Sequence, residues 1–115
     1  MIPTEIRIRR ATRCLEVAFG DERFSLPAEY LRVESPSAEV QGHSPQEKRL
    51  VTGKRDVNIE TVEPVGNYAV RIRFTDGHDT GIYSWALLRD MGREYERRWL
   101  AYLQALAQRG LTRDP

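Results

Sequence analysis

The chain has 115 residues, of which 40% are hydrophobic and 30% charged, with a formal net charge of +1. That is room for one hydrophobic core, with the composition of an ordinary folded domain and too little excess charge to draw nucleic acid. The single Cys14 rules out an internal disulfide framework, and no apolar run reaches membrane-spanning length or forms an N-terminal signal core, so a cytoplasmic protein is expected.

Near the N-terminus Ile6 and Ile8 alternate with Arg7 and Arg9, and Leu15, Val17 and Phe19 repeat the pattern. A Gly20-Asp21 turn then leads into a return strand at residues 23–26, which makes a β-meander. Cys14 reads as a small, partly buried strand residue. Residues 27–32, PAEYLR, predict a short helix with Pro27 in its first turn, where the missing N–H is harmless. Residues 33–49 hold two prolines, a glycine and three serines and predict a long loop with nothing obvious to bury. Loops of that length are usually functional or are ordered by a metal or a partner. Lys48-Arg49 and Lys54-Arg55 around Gly53 read as a solvated connection, with a small-anion site as the sharper alternative.

Val57, Ile59, Thr61 and Val62 predict the next strand, joined through residues 64–67 to the stretch on which the chain is organised. There Tyr68, Val70, Ile72 and Phe74 face one way, while Ala69, Arg71, Arg73 and Thr75 face the other. Asp76-Gly77 breaks this strand, residues 81–83 resume an extended run, and Ser84 can cap a helix beginning at Trp85. His78 and Asp79 then fall at a hairpin tip, a place where functional side chains are displayed. Gly92 marks a break, and residues 93–109 form the strongest helix. Tyr95, Trp99, Leu103 and Leu106 make its stripe, widened by Leu100 and Tyr102. The stripe reads as a seat on the sheet, with part of it free for a homodimer contact. The expectation is one α+β domain over residues 1–115. It has an antiparallel β-rich layer, a short helix after the first meander and a C-terminal amphipathic helix.

The combination LRVESPSAEVQGHSP, GKR and VGNYAVRIRFTDGHDTGIYSWALL resembles the gamma-butyrobetaine hydroxylase-like N-terminal domain family. The similarity covers about residues 5–92 and leaves the helix at 93–109 outside the core motif. Small bacterial members of that family were long catalogued as a domain of unknown function. In the oxygenase relatives the domain precedes a separate 2-oxoglutarate- and iron-dependent catalytic domain. It also binds a structural zinc through three cysteines and one histidine. With the family's Leu-Arg at Leu31-Arg32 and its tryptophan at Trp85, the cysteine positions fall on Ser35, Ser37 and Val40. The histidine position falls on His78.

Serine and valine supply no thiolate, and structural zinc needs four tetrahedral N or S ligands. The resemblance therefore implies a degenerate zinc site and no resident cofactor. The loop would be held by hydrogen bonds from Ser35 and Ser37 to His78. The catalytic domain is absent, so hydroxylase activity does not carry over. Relatives fused to P-loop iron–sulfur carriers imply an adaptor role near cofactor or cluster chemistry.

Sharper chemistry has three forms. His78 and His43, with Asp76, Asp79 or Glu39, could hold zinc or iron. Ser35 or Ser37 with His78 and Asp79 supplies the types of a Ser-His-Asp hydrolase, but without elbow glycines and with Asp79 adjacent to His78. Arg71 and Arg73 could join Arg7 and Arg9 in a basic stripe if their strands share a sheet. The preferred reading is a non-catalytic module that binds a protein partner. Its surface would be Ser35, Ser37, His43, Asp76, His78, Asp79 and Tyr83.

Overall fold

The computed structural model describes residues 1–115, and its alternating segments build two separate three-stranded antiparallel sheets. The first is β1 (Glu5–Arg9), β2 (Cys14–Phe19) and β3 (Glu22–Pro27), in that order. Ile6 stands opposite Val17 and Ile8 opposite Leu15, so the apolar face is continuous across the register. The second is β4 (Ile59–Val65), β5 (Ala69–Phe74) and β6 (Ile82–Ser84). β4 runs on through Pro64 and Val65 instead of ending before them, with one irregularity between Ile59 and Thr61. It is an edge strand, and an edge tolerates proline's missing N–H. Each sheet is therefore cut from one uninterrupted stretch of chain.

Because the sheets are separate, the four arginines do not form a basic stripe. Arg9 pairs with Glu16 at 3.0 Å, Arg71 with Glu63 at 3.2 Å and Arg73 with Asp79 at 3.3 Å, each within its own sheet or hairpin.

β3 passes directly into α1 (Ala28–Val33), with Pro27 extended at the cap instead of inside the first turn. One core joins both sheets: Leu15, Val17 and Leu26 meet Ile72, Phe74 and Tyr83, with Tyr30 and Leu31 of α1 between them. Two buried phenols staple the halves together. The Tyr30 hydroxyl donates to the Met91 carbonyl at 2.8 Å, and the Tyr83 hydroxyl to the Leu31 carbonyl at 2.6 Å. Burial pushes the ionisation of both far above the usual tyrosine range.

Residues 33–58 are not a structureless loop. They contain a one-turn helix, α2 (Ala38–Gln41), and a 3₁₀ turn at Pro45–Glu47. The segment buries Val33, Ser35, Ser37, Val40 and Val57.

α3 (Trp85–Arg93) starts where Ser84 accepts the Leu87 N–H at 3.1 Å. It continues through Gly92, and the chain bends at Glu94 instead. Glycine is needed at 92 because the Phe24 ring lies there; a Cβ would come 2.3 Å from a ring carbon. α4 (Tyr95–Gln108) packs Tyr95 and Trp99 against the main core and the rest of its stripe against Val33, Leu50 and Val51. Tyr95 and Trp99 meet the Tyr30 ring edge-on at 4.8 and 6.3 Å, while Leu100 stays exposed. Beyond α4, Arg113 forks onto Glu29 at 2.6 and 2.8 Å and lies over the Trp99 ring. No helix is long and apolar enough to cross a membrane.

Candidate functional site

Two local structures face each other here. On one side, Ser37 caps α2: its hydroxyl accepts the Glu39 N–H at 3.1 Å, and its own N–H donates to Ser35 Oγ at 3.2 Å. On the other side, the turn after β5 is fastened by Asp76, which accepts the His78 N–H at 3.1 Å. The His78 carbonyl in turn accepts the Phe74 N–H at 2.9 Å. Those bonds turn the imidazole inward. His78 is 7% exposed, so it is not displayed at a hairpin tip as its position predicted.

Across the gap Ser35 Oγ lies 2.9 Å from His78 Nε2. His78 Nδ1 lies 3.3 Å from Glu39 Oε2. The Glu39 carboxylate beside Nδ1 favours the tautomer with the proton on Nδ1, in which Nε2 accepts from the Ser35 hydroxyl. Burial, reinforced by the nearby Arg32, lowers the His78 pKa against the opposing pull of Glu39 and Asp76. Ser37 does not reach His78; its hydroxyl pairs with Thr80 Oγ1 at 2.6 Å. Gly81 closes the seam, since a Cβ there would lie 2.5 Å from Ser35 Oγ.

The order serine–histidine–carboxylate is that of a hydrolase triad, with Glu39 in the place expected of Asp79. Ser35 has 0% exposure, however, and Gly81 lies against its hydroxyl, so no carbonyl carbon can approach. Asp79 pairs with Arg73 instead.

The expected surface does not form an open patch. Ser35, Ser37, His78 and Tyr83 are all buried, and no exposed aromatic marks the place. His43 is exposed, with its N–H donated to Glu47 at 2.7 Å, and it does not join His78. No three His, Cys, Asp or Glu side chains converge as metal ligands.

The junction does present a cleft of about 290 Å³ between α1, α2 and residues 49–54, with His78 on its wall. Arg32 Nε and Lys54 Nζ meet Asp76 Oδ2 behind it, at 2.8 and 2.7 Å. Burial opposes ionisation of Asp76. Hydrogen bonds from Lys54, the His78 N–H and Arg32 outweigh it and hold the pKa at about 2. Lys54 belongs to the small-anion alternative that the sequence offered around Gly53, whereas Arg32 entered only as part of the family's Leu-Arg and not as a site residue.

The family described as gamma-butyrobetaine hydroxylase-like, N-terminal, matches residues 6–89. The chain belongs to this family. Among solved structures it is similar to two determined by NMR. One has TM-score 0.88 and 43% identity, with 99% of this chain and 90% of the other covered. The second has TM-score 0.84 and 45% identity, with coverage of 99% and 86%. It is also similar to a 1.93 Å crystal structure from Acidithiobacillus ferrooxidans, a protein of unknown function in the DUF971 family. That match has TM-score 0.66 and 42% identity over 78% of this chain and 91% of the other. No curated protein matches.

A structural zinc of the kind the resemblance gives to the oxygenase relatives does not fit the residues present. Val40 has no donor atom, and the hydroxyls at 35 and 37 are engaged with His78 and Thr80. Of the four family positions only His78 keeps a metal-binding side chain.

Proposed function

We propose that this domain is a non-catalytic, cytoplasmic interaction module in which a hydrogen-bonded latch replaces the family's zinc. The carrying observation is the 2.9 Å contact between Ser35 Oγ and His78 Nε2. The imidazole lone pair that a metal would take is used by a serine hydroxyl, so the α2 loop and the β5–β6 turn are joined without an ion. The latch itself is buried, so in this adaptor reading a protein partner meets the exposed residues around it, His43 among them.

The test is elemental mass spectrometry on untagged protein purified without chelator, beside His78→Ala. The expected result is a folded, metal-free protein, with His78→Ala less stable but equally metal-free. Near-stoichiometric zinc or iron that vanishes in His78→Ala would overturn the latch and restore a metal-binding role.

A further inference from the structure

We infer that the cleft beside His78 binds a small organic acid, gripping its carboxylate with Arg32, Arg49 and Lys54. The first observation is an unmet donor. The Arg32 side chain is 12% exposed, its Nε is bonded to Asp76, and its Nη1 is buried with no hydrogen-bond partner. Buried guanidinium nitrogens without an acceptor are rare, because the lost hydration is not recovered. Arg32 lines the cleft. A guanidinium held at Nε still has two further nitrogens in a planar fork that matches a carboxylate, and the buried Nη1 meets one once the side chain shifts toward the cleft.

The second observation is the charge balance. Three cations, Arg32, Arg49 and Lys54, line the cleft. Asp76 behind it and Glu39 on its rim offset two of them. Arg49 supplies the remaining positive charge: its N–H is tied to the Val40 carbonyl at 2.7 Å, and its side chain is exposed at the mouth. One uncompensated charge suits a monoanion better than a phosphate dianion.

The third is shape. Val40, Leu50 and Val51 complete the wall, so the cleft is half apolar. At about 290 Å³ it lies at the small end of ligand sites and admits one compact molecule with an apolar body, not a nucleotide. Ligand binding here stands apart from the interaction-module reading, which does not require it.

The experiment is an amide NMR titration of the full chain with benzoate and, separately, with inorganic phosphate. Benzoate is expected to give saturable shifts at Arg32, Arg49 to Lys54 and His78, and phosphate none at matched concentration and ionic strength. Arg49→Gln touches no ion pair and should keep the fold while weakening benzoate about tenfold or more. Arg32→Lys keeps the charge beside Asp76 but removes the fork, and should weaken it as much. The inference fails if benzoate does not saturate, if Arg49→Gln binds it as well as the natural protein, or if phosphate binds the same residues as tightly.

Discussion

Replacing Ser35 with alanine tests the latch most directly. The change removes one oxygen from a fully buried position. Two bonds go with it: the 2.9 Å contact to His78 Nε2 and the 3.2 Å bond from the Ser37 N–H. Each leaves a buried polar group unpartnered, at roughly 1–3 kcal/mol apiece. Gly81 packs directly on the site, which limits entry of a replacing water. The expected loss is about 2–4 kcal/mol, read as a shifted urea midpoint at unchanged slope. For a domain of this size it corresponds to a fall in Tm of about 8–16 °C. Ser44→Ala is the control, because Ser44 heads the 3₁₀ turn without a side-chain bond; its loss should stay within about 0.5 kcal/mol. If Ser35→Ala behaves like Ser44→Ala, the serine hydroxyl is not what joins the two loops.

Acid should weaken the fold in two separate windows. His78 has a lowered folded pKa, so its contribution is whole above its ordinary 6.5 and is lost as pH falls from there, the unfolded chain taking the proton first. Asp76 contributes fully above 3.8 and loses about 1–2 kcal/mol as pH falls toward its folded value of about 2, after allowance for its partly solvated carboxylate. Urea midpoints should therefore drop as pH falls below about 6.5, and again in stronger acid. His78→Gln should flatten the first step alone, and a natural protein without that step would refute the burial argument. Gly92→Ala should destabilise by about 1–2 kcal/mol, because overpacking against Phe24 outweighs alanine's helix propensity; a gain in Tm would show that the ring moves aside. Arg113→Ala leaves Glu29, whose side chain is 7% exposed, without its forked partner. It should lose about 3 kcal/mol in thermal melts, and a change under about 1 kcal/mol would mean that the tail does not hold α1.

The local chemistry was legible in the sequence wherever one short segment decided it. The alternation of Val70, Ile72 and Phe74 gave β5, Asp76-Gly77 gave the turn, and Ser84 gave the start of α3. Alternation specifies which face is apolar but not which strand is the neighbour, so the split into two sheets was not readable. Gly92 looked like a helix break because a glycine's close contact with Phe24, 68 positions away, leaves no local trace. α2 has four residues, too few for a periodic signal. The facing of Ser35 and His78 followed from the resemblance. Ser37's true partner, Thr80, and the carboxylate beside His78, Glu39, depend on side-chain directions that no spacing encodes.

The two sheets are each built from nearest neighbours in the chain, and this bears on how the molecule folds. Their turns close short loops, so both meanders can form early. The links that join the halves span long separations: 43 residues for Ser35–His78, 52 for Leu31–Tyr83, 61 for Tyr30–Met91 and 84 for Glu29–Arg113. Loop-closure cost predicts that such contacts form after the transition state. Weakening any of them should speed unfolding and leave refolding nearly unchanged. The lifetime of the native state is then governed by a handful of hydrogen bonds along one seam.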